Sequence, residues 1–143
     1  MLIRAGEPIF RSEEQQHSFN FPFQLGTNSR DTPNDTQMFA LKIEEGDIVI
    51  IGTDGLFDNV FDEDIVDIIA SRTQVNVLHS DPQDMSDALL RRAREVAEDS
   101  RFASSPFQSR AIQEGFYYQG GKVDDITVLV GIVKLQEDNP DRR

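Results

Sequence analysis

The period of the apolar positions changes several times along the chain, and each change marks an element. Leu2 and Ile3 are followed by Ala5-Gly6-Glu7-Pro8 and then by Ile9 and Phe10. Gly and Pro punctuate a turn, so residues 1–10 read as a hairpin. Phe19, Phe21 and Phe23 alternate inside residues 12–36, a stretch otherwise rich in Gln, Asn, Ser, Asp and Thr. A structureless connection of that length is uncommon in a compact domain. A functional loop or a short strand around 19–23 is expected, with the alternate phenylalanines pinning it to the core. Residues 38–43 alternate again, with Phe39, Leu41 and Ile43 on one face, and the turn Glu44-Glu45-Gly46-Asp47 leads into Ile48-Val49-Ile50-Ile51. That continuous run predicts a strand buried on both faces. The short link predicts that it pairs antiparallel with 38–43.

Helical spacing takes over next. Residues 62–72 predict a helix capped by Asp62, with Glu63 and Asp64 at its positive end and Ile65, Ile68 and Ile69 on its buried face. Residues 82–99 predict a second one. Asp81 is its N-cap, Pro82 its first residue, and Met85, Ala88, Leu89, Ala93, Val96 and Ala97 its buried stripe. Arg91, Arg92 and Arg94 then fall on the solvated side. Residues 103–121 read as a loop or short helix ending in Gln119-Gly120-Gly121, residues 126–135 as a last strand, and residues 136–143 as a polar tail.

Composition narrows the classes. The chain has 143 residues, 14 Lys+Arg against 26 Asp+Glu, and a formal net charge of −12. That length allows one ordinary domain, which buries about 68–70% of its unfolded surface. The acidic balance repels phosphate backbones and anionic bilayers, so no nucleic acid is expected as a partner. No apolar run approaches the ~20 residues of a membrane span, and the first residues lack the pattern of a secretory signal. The absence of cysteine excludes a disulfide framework, a thiol nucleophile and a thiolate zinc site. It agrees with an intracellular, reducing compartment.

Within that acidic surface, two places set aspartates at the end of a predicted strand. Gly52-Thr53-Asp54-Gly55-Leu56-Phe57-Asp58-Asn59 follows the run at 48–51, and Gly120-Gly121-Lys122-Val123-Asp124-Asp125 precedes the last strand. Strand ends hold a carboxylate in a fixed direction, and glycines admit close backbone or ligand approach. Hard divalent cations take such oxygen donors. An Asp-Gly pair after a strand is equally at home as a plain turn. Adjacent Asp124 and Asp125 are costly together unless a cation lies near or one of them faces solvent. The spacing is not that of a calcium-binding EF-hand loop.

The segments GDIVIIGTDGLFDNV (46–60) and GGKVDDITVLVGIV (120–133) resemble the C-terminal motifs of the metal-dependent protein phosphatases, the protein phosphatase 2C or PPM family. EEQQHSFNFPFQLG (13–26) resembles the T-cell-activation-type branch found in mitochondria and plastids. The resemblance implies an α+β fold, part of a four-layer αββα sandwich in which helices flank two antiparallel sheets. Residues 1–135 would be the C-terminal portion of the domain, with its N-terminal half absent. It also implies a binuclear Mg²⁺ or Mn²⁺ centre, with Asp54 and Asp124 as metal ligands. Asp58 and Asp125 would stand behind them or help hold a third ion, although asparagine is more usual at position 125.

The implied activity is hydrolysis of phosphoserine and phosphothreonine in a phosphoprotein substrate by metal-activated water. The family's upstream aspartate motif, phosphate-binding arginine and acidic histidine have no match here. His17, His79, Arg4 and Arg11 do not replace them. The chain alone is therefore expected to be inactive or weakly active, and open strand edges to favour self-association. A mitochondrial or plastid setting follows from the branch, with no targeting segment in this sequence. The competing readings are a non-catalytic phosphatase-like binding module and a haloacid-dehalogenase-type phosphatase. Gly52 argues against the latter, because it stands where that chemistry needs a nucleophilic aspartate.

Overall fold

The computed structural model describes residues 1–101 and 104–136. Apart from Gln136, the expected polar tail lies outside the described residues. The opening hairpin forms as expected, with β1 (Leu2–Arg4) and β2 (Glu7–Phe10) joined by Ala5 and Gly6 at φ of 50° and 82°. A second, small hairpin follows, β3 (Gln16–Ser18) and β4 (Phe21–Pro22). Its turn residue Phe19 packs its ring 5.1 Å from Phe107 and 5.5 Å from Phe116. Phe23 instead stacks on His17 at 4.1 Å, and Phe21 is exposed. The pinning expected of three phenylalanines falls to Phe19.

The main sheet has the order β2-β1-β5-β6, antiparallel throughout, with β5 (Ile48–Gly52) at its centre and β6 (Val128–Ile132) on one edge. This corrects the predicted pairing of 38–43 with the central strand. Residues 38–43 form no strand, and Met38 is 90% exposed. The reason is long-range. Ile3 pairs with Ile48, so β1 takes the edge of β5 that 38–43 would have used. Arg4 then ties the segment down beside it. Its Nε and Nη2 donate to both oxygens of buried Asp47 at 2.7 and 2.8 Å, and Nη2 also reaches the Lys42 carbonyl at 2.9 Å.

Helices cover one face of that sheet. α1 (Asp54–Phe57) follows β5 directly, and α2 (Asp62–Arg72) and α3 (Pro82–Glu98) lie across it. The N-cap of α2 is Phe61, with Asp62, Glu63 and Asp64 all in the first turn, where carboxylates meet the positive end of the helix. α3 keeps its predicted cap: Asp81 accepts from the Gln83 N–H at 2.9 Å. All six residues of its predicted stripe are buried. Arg91 and Arg94 are exposed, and Arg94 pairs with Glu98 one turn on. The segment left open between loop and helix contains α4 (Pro106–Gln113), capped by Ser105.

Met1, Ile3, Ile48, Ile50, Leu56, Val60, Ile65, Ile69, Met85, Leu89 and Ala93 make the core between helices and sheet. The far side of the sheet is different. Ile51 and its cross-strand partner Leu129 are 61% and 60% exposed. The central strand is therefore buried on one face, which corrects the reading of its β-branched run. The α+β class holds. Of the four expected layers, the described residues contain one helical layer on one four-stranded sheet, plus the small hairpin.

Candidate metal centre

The strand β5 ends at Gly52, and Thr53 leads at once into α1. One helical turn places Asp54 and Asp58 four residues apart, so their side chains share a side. Asp58 is buried, whereas the Asp54 side chain is largely open. The second aspartate segment, 120–127, runs along this turn and is stitched to it. The Thr53 N–H donates to the Thr127 carbonyl at 3.1 Å. The Thr53 hydroxyl donates to the Asp125 carbonyl at 2.9 Å and accepts from the Thr127 N–H at 3.0 Å. Gly55 makes this approach possible, because a Cβ there would come within 2.5 Å of the Asp125 carbonyl oxygen.

The outcome is a three-carboxylate cluster. One oxygen each from Asp54, Asp58 and Asp124 lies within 4.8 Å of the others. Octahedral Mg²⁺ holds its oxygens at about 2.0–2.1 Å, so opposite ligands lie about 4 Å apart. The oxygen donors suit one hard cation, around which a spacing of up to 4.8 Å would have to close slightly. A cationic group already stands among them: the Lys122 ammonium lies 3.4, 2.7 and 3.0 Å from Asp54, Asp58 and Asp124. Arg110 of α4 approaches Asp58 from the other side and also pairs with Glu14 ahead of the β3–β4 hairpin.

These contacts perturb the titrating groups in opposite directions. Burial pushes the Asp58 carboxyl above the usual range, against the pull of Lys122 and Arg110. Burial also works against the Lys122 ammonium, but its hydrogen bonds to Asp58 and Asp124 win and hold its pKa above the ordinary value. Asp124 is held below the usual range, first by Lys122 and then by the Asp125 N–H. Four carboxylates, counting Glu14, thus face two fixed cations, and the cluster retains a surplus of negative charge.

Three of the four residues singled out in the sequence are therefore brought together. Asp125 lies outside that group and enters through its backbone, its N–H donating to Asp124 Oδ1 at 2.9 Å. Lys122, Arg110 and Asn59 were not singled out. Lys122 and Asn59 sat inside the motifs, but Lys122 meets Asp58, and Asn59 meets Lys122, across more than sixty residues. His17 instead pairs with Asp31 at 2.8 Å, and Arg11 lies over the Phe57 ring at 3.7 Å. A cavity of about 280 Å³ opens beside Asp54 and Asp58, walled by Phe19, Phe107, Pro22 and Arg110.

Comparison with known proteins finds likeness to protein phosphatases. A family model described as protein phosphatase 2C matches residues 33–101. Over 140 residues the chain is 41% identical to probable protein phosphatase 2C 55 of Arabidopsis thaliana, covering 96% of this chain and 29% of that protein. It is 37% identical over 141 residues to the protein phosphatase PTC7 homolog of Homo sapiens, covering 93% of this chain and 45% of that one. The solved structure of the photosystem II phosphatase PBCP superposes with a TM-score of 0.80 at 32% identity, covering 93% of this chain and 54% of the other. The chain thus spans between about a quarter and a half of the length of the relatives it matches.

Proposed function

We propose that this chain, which belongs to the protein phosphatase 2C family, supplies one wall of the metal centre of a protein serine/threonine phosphatase. The observation that carries this reading is the convergence of Asp54, Asp58 and Asp124 around a cationic group at the end of β5. Asp54 and Asp124 are the proposed ligands of Mg²⁺ or Mn²⁺. Asp58 stands behind them, braced by Arg110, and Asp125 orients Asp124 through its backbone N–H. When bound, the divalent ions supply charge neutralisation of a phosphomonoester and a water acidic enough to attack phosphorus.

The chain's own part is to hold three carboxylate oxygens in place around one cationic group. Residues 1–135 are the proposed extent of this contribution. Three carboxylates are the share of one ion. A second ion of a binuclear site takes its donors from beyond this cluster, so residues 1–143 alone are expected to turn over phosphopeptide slowly or not at all. The substrate class is a phosphoserine or phosphothreonine protein. Likeness to the PTC7 homologs and to a photosystem II phosphatase supports a mitochondrial or plastid setting. Among the described residues no helix is long and apolar enough to cross a membrane. The open edges of β2 and β6 are proposed sites of self-association.

Manganese titration by calorimetry tests the central claim. The chain should bind Mn²⁺, and Asp54→Ala and Asp124→Ala should each abolish most of that heat. Undiminished binding in both variants sinks the assignment.

A further inference from the structure

We infer that Asn59, with Thr53, is a positioning residue whose side chain sets Asp124 against Asp54 and Asp58. Asn59 is 2% exposed and carries no charge, yet it spends its whole amide on two backbone segments. Its Nδ2 donates to the Gly55 carbonyl and to the Lys122 carbonyl, both at 2.9 Å. Its Oδ1 accepts from the Lys122 N–H at 2.8 Å. One buried amide thus grips both polar backbone atoms of the residue two positions before Asp124, and anchors that grip on the first turn of α1. Thr53 does the same from the other side of Asp124, through the Asp125 carbonyl and the Thr127 N–H. Asp124 is bracketed between the two clamps.

The bracket matters because of where it acts. Residues 120–127 contain no regular hydrogen-bonded structure of their own, so the direction of the Asp124 carboxylate depends on what grips its flanks. Asn59 sits one residue after Asp58 and is fixed by the same turn that aligns Asp54 with Asp58. Any shift of the second segment relative to the first is therefore resisted at both ends of the carboxylate. Groups that orient metal ligands without touching the ion commonly change affinity by about 10–100-fold when lost.

Ser105 provides the contrast. Its buried hydroxyl donates to the Gly120 carbonyl at 2.7 Å, holding the same segment at its far end, away from Asp124. A general loss of packing would make Asn59 and Ser105 equivalent. A positioning role separates them.

The inference rests on the metal reading given above, and the test keeps the two apart. Mn²⁺ binding is measured by electron paramagnetic resonance on the full 143-residue chain and on Asn59→Ala, Thr53→Val, Thr53→Ser, Ser105→Ala and Asp54→Ala variants. Circular dichroism melts are recorded on each. Asn59→Ala should weaken Mn²⁺ binding by about tenfold or more. Thr53→Val should weaken it in the same direction and Thr53→Ser restore it. Ser105→Ala should lower the melting temperature and leave Mn²⁺ binding unchanged. If Asn59→Ala does not fold, the Thr53 pair decides: equal binding by Val and Ser variants overturns the clamp. Unchanged binding in a folded Asn59→Ala, or an equal loss in Ser105→Ala, also overturns it while the metal centre stands. A chain whose Mn²⁺ signal matches that of Asp54→Ala overturns the metal reading, and the clamp with it.

Discussion

Lys122 places a fixed positive charge within 2.7 to 3.4 Å of all three clustered carboxylates. A divalent ion entering the cluster must contend with it. Lys122→Met removes the competitor and keeps the aliphatic stem, so Mn²⁺ should bind on the order of tenfold more tightly. Calorimetry on the two proteins checks the direction; looser binding would show that the ammonium helps to hold the site open. Asp47 gives a second prediction at this scale. Arg4 pulls its carboxyl below the ordinary range, by hydrogen bonding first, against the opposing effect of burial. A lowered folded-state pKa means stability that is present above the unfolded value of about 3.9 and lost as pH falls through the folded one. Asp47→Asn should lower the melting temperature at neutral pH and flatten its decline between pH 5 and pH 2. Thermal melts across that window measure both.

The aspartates of this site were legible in the sequence because they sit beside glycines at the ends of apolar runs. The cations that reach Asp58 were not. Arg110 reaches Asp58 across 52 residues and Lys122 across 64, and no local pattern encodes a contact of that range.

Among the elements, α3 shows what periodicity reads well. Its cap, its leading proline and its six buried positions all follow from local chemistry. Residues 38–43 show the opposite. Alternation describes a strand that could exist, but a strand needs an edge to pair with, and β1 holds that edge. The approach of 120–127 to α3 was equally hidden. Gly121 lies against the last turns of that helix, where a Cβ would overlap the Val96 carbonyl oxygen. Gly121→Ala should therefore push the segment away, at about 1–3 kcal/mol of stability. Mn²⁺ binding, set beyond the Asn59 grip on Lys122, should weaken by less than it does in Asn59→Ala. Denaturant melts and calorimetry on one sample read the two effects, and a stable variant with native affinity would contradict this account of the loop.

For the molecule as a whole, the sheet has one finished face and one bare one. Ile51 and Leu129 lie side by side on the bare face, each more than half exposed. Contiguous apolar surface of this kind promotes association. Sedimentation at increasing concentration should show a rising average mass, and the double variant Ile51→Lys, Leu129→Lys should return it to the value of a 16.2 kDa monomer. A concentration-independent monomer in the parent chain would refute this. The fold class was legible because strands and helices announce themselves locally. Which face of the sheet is covered was not, because a run such as Ile48-Val49-Ile50-Ile51 looks the same whether one side or both are packed.

The stitches that bring Asp124 to Asp54 also constrain the order in which the molecule can be assembled. The bonds from Thr53 and Asn59 close loops of 63 to 74 residues, and the chain inside those loops contains α2, α3 and α4. Closing a loop of that size costs entropy that only accumulated non-local packing can repay. The carboxylate cluster is consequently expected to form late in folding, after the helices have settled on the sheet, an order that pulsed hydrogen exchange at the Lys122 and Thr127 amides would read. A nascent or half-folded chain has no place for the ion, so cation capture can act as a natural check that the rest of the structure has closed correctly.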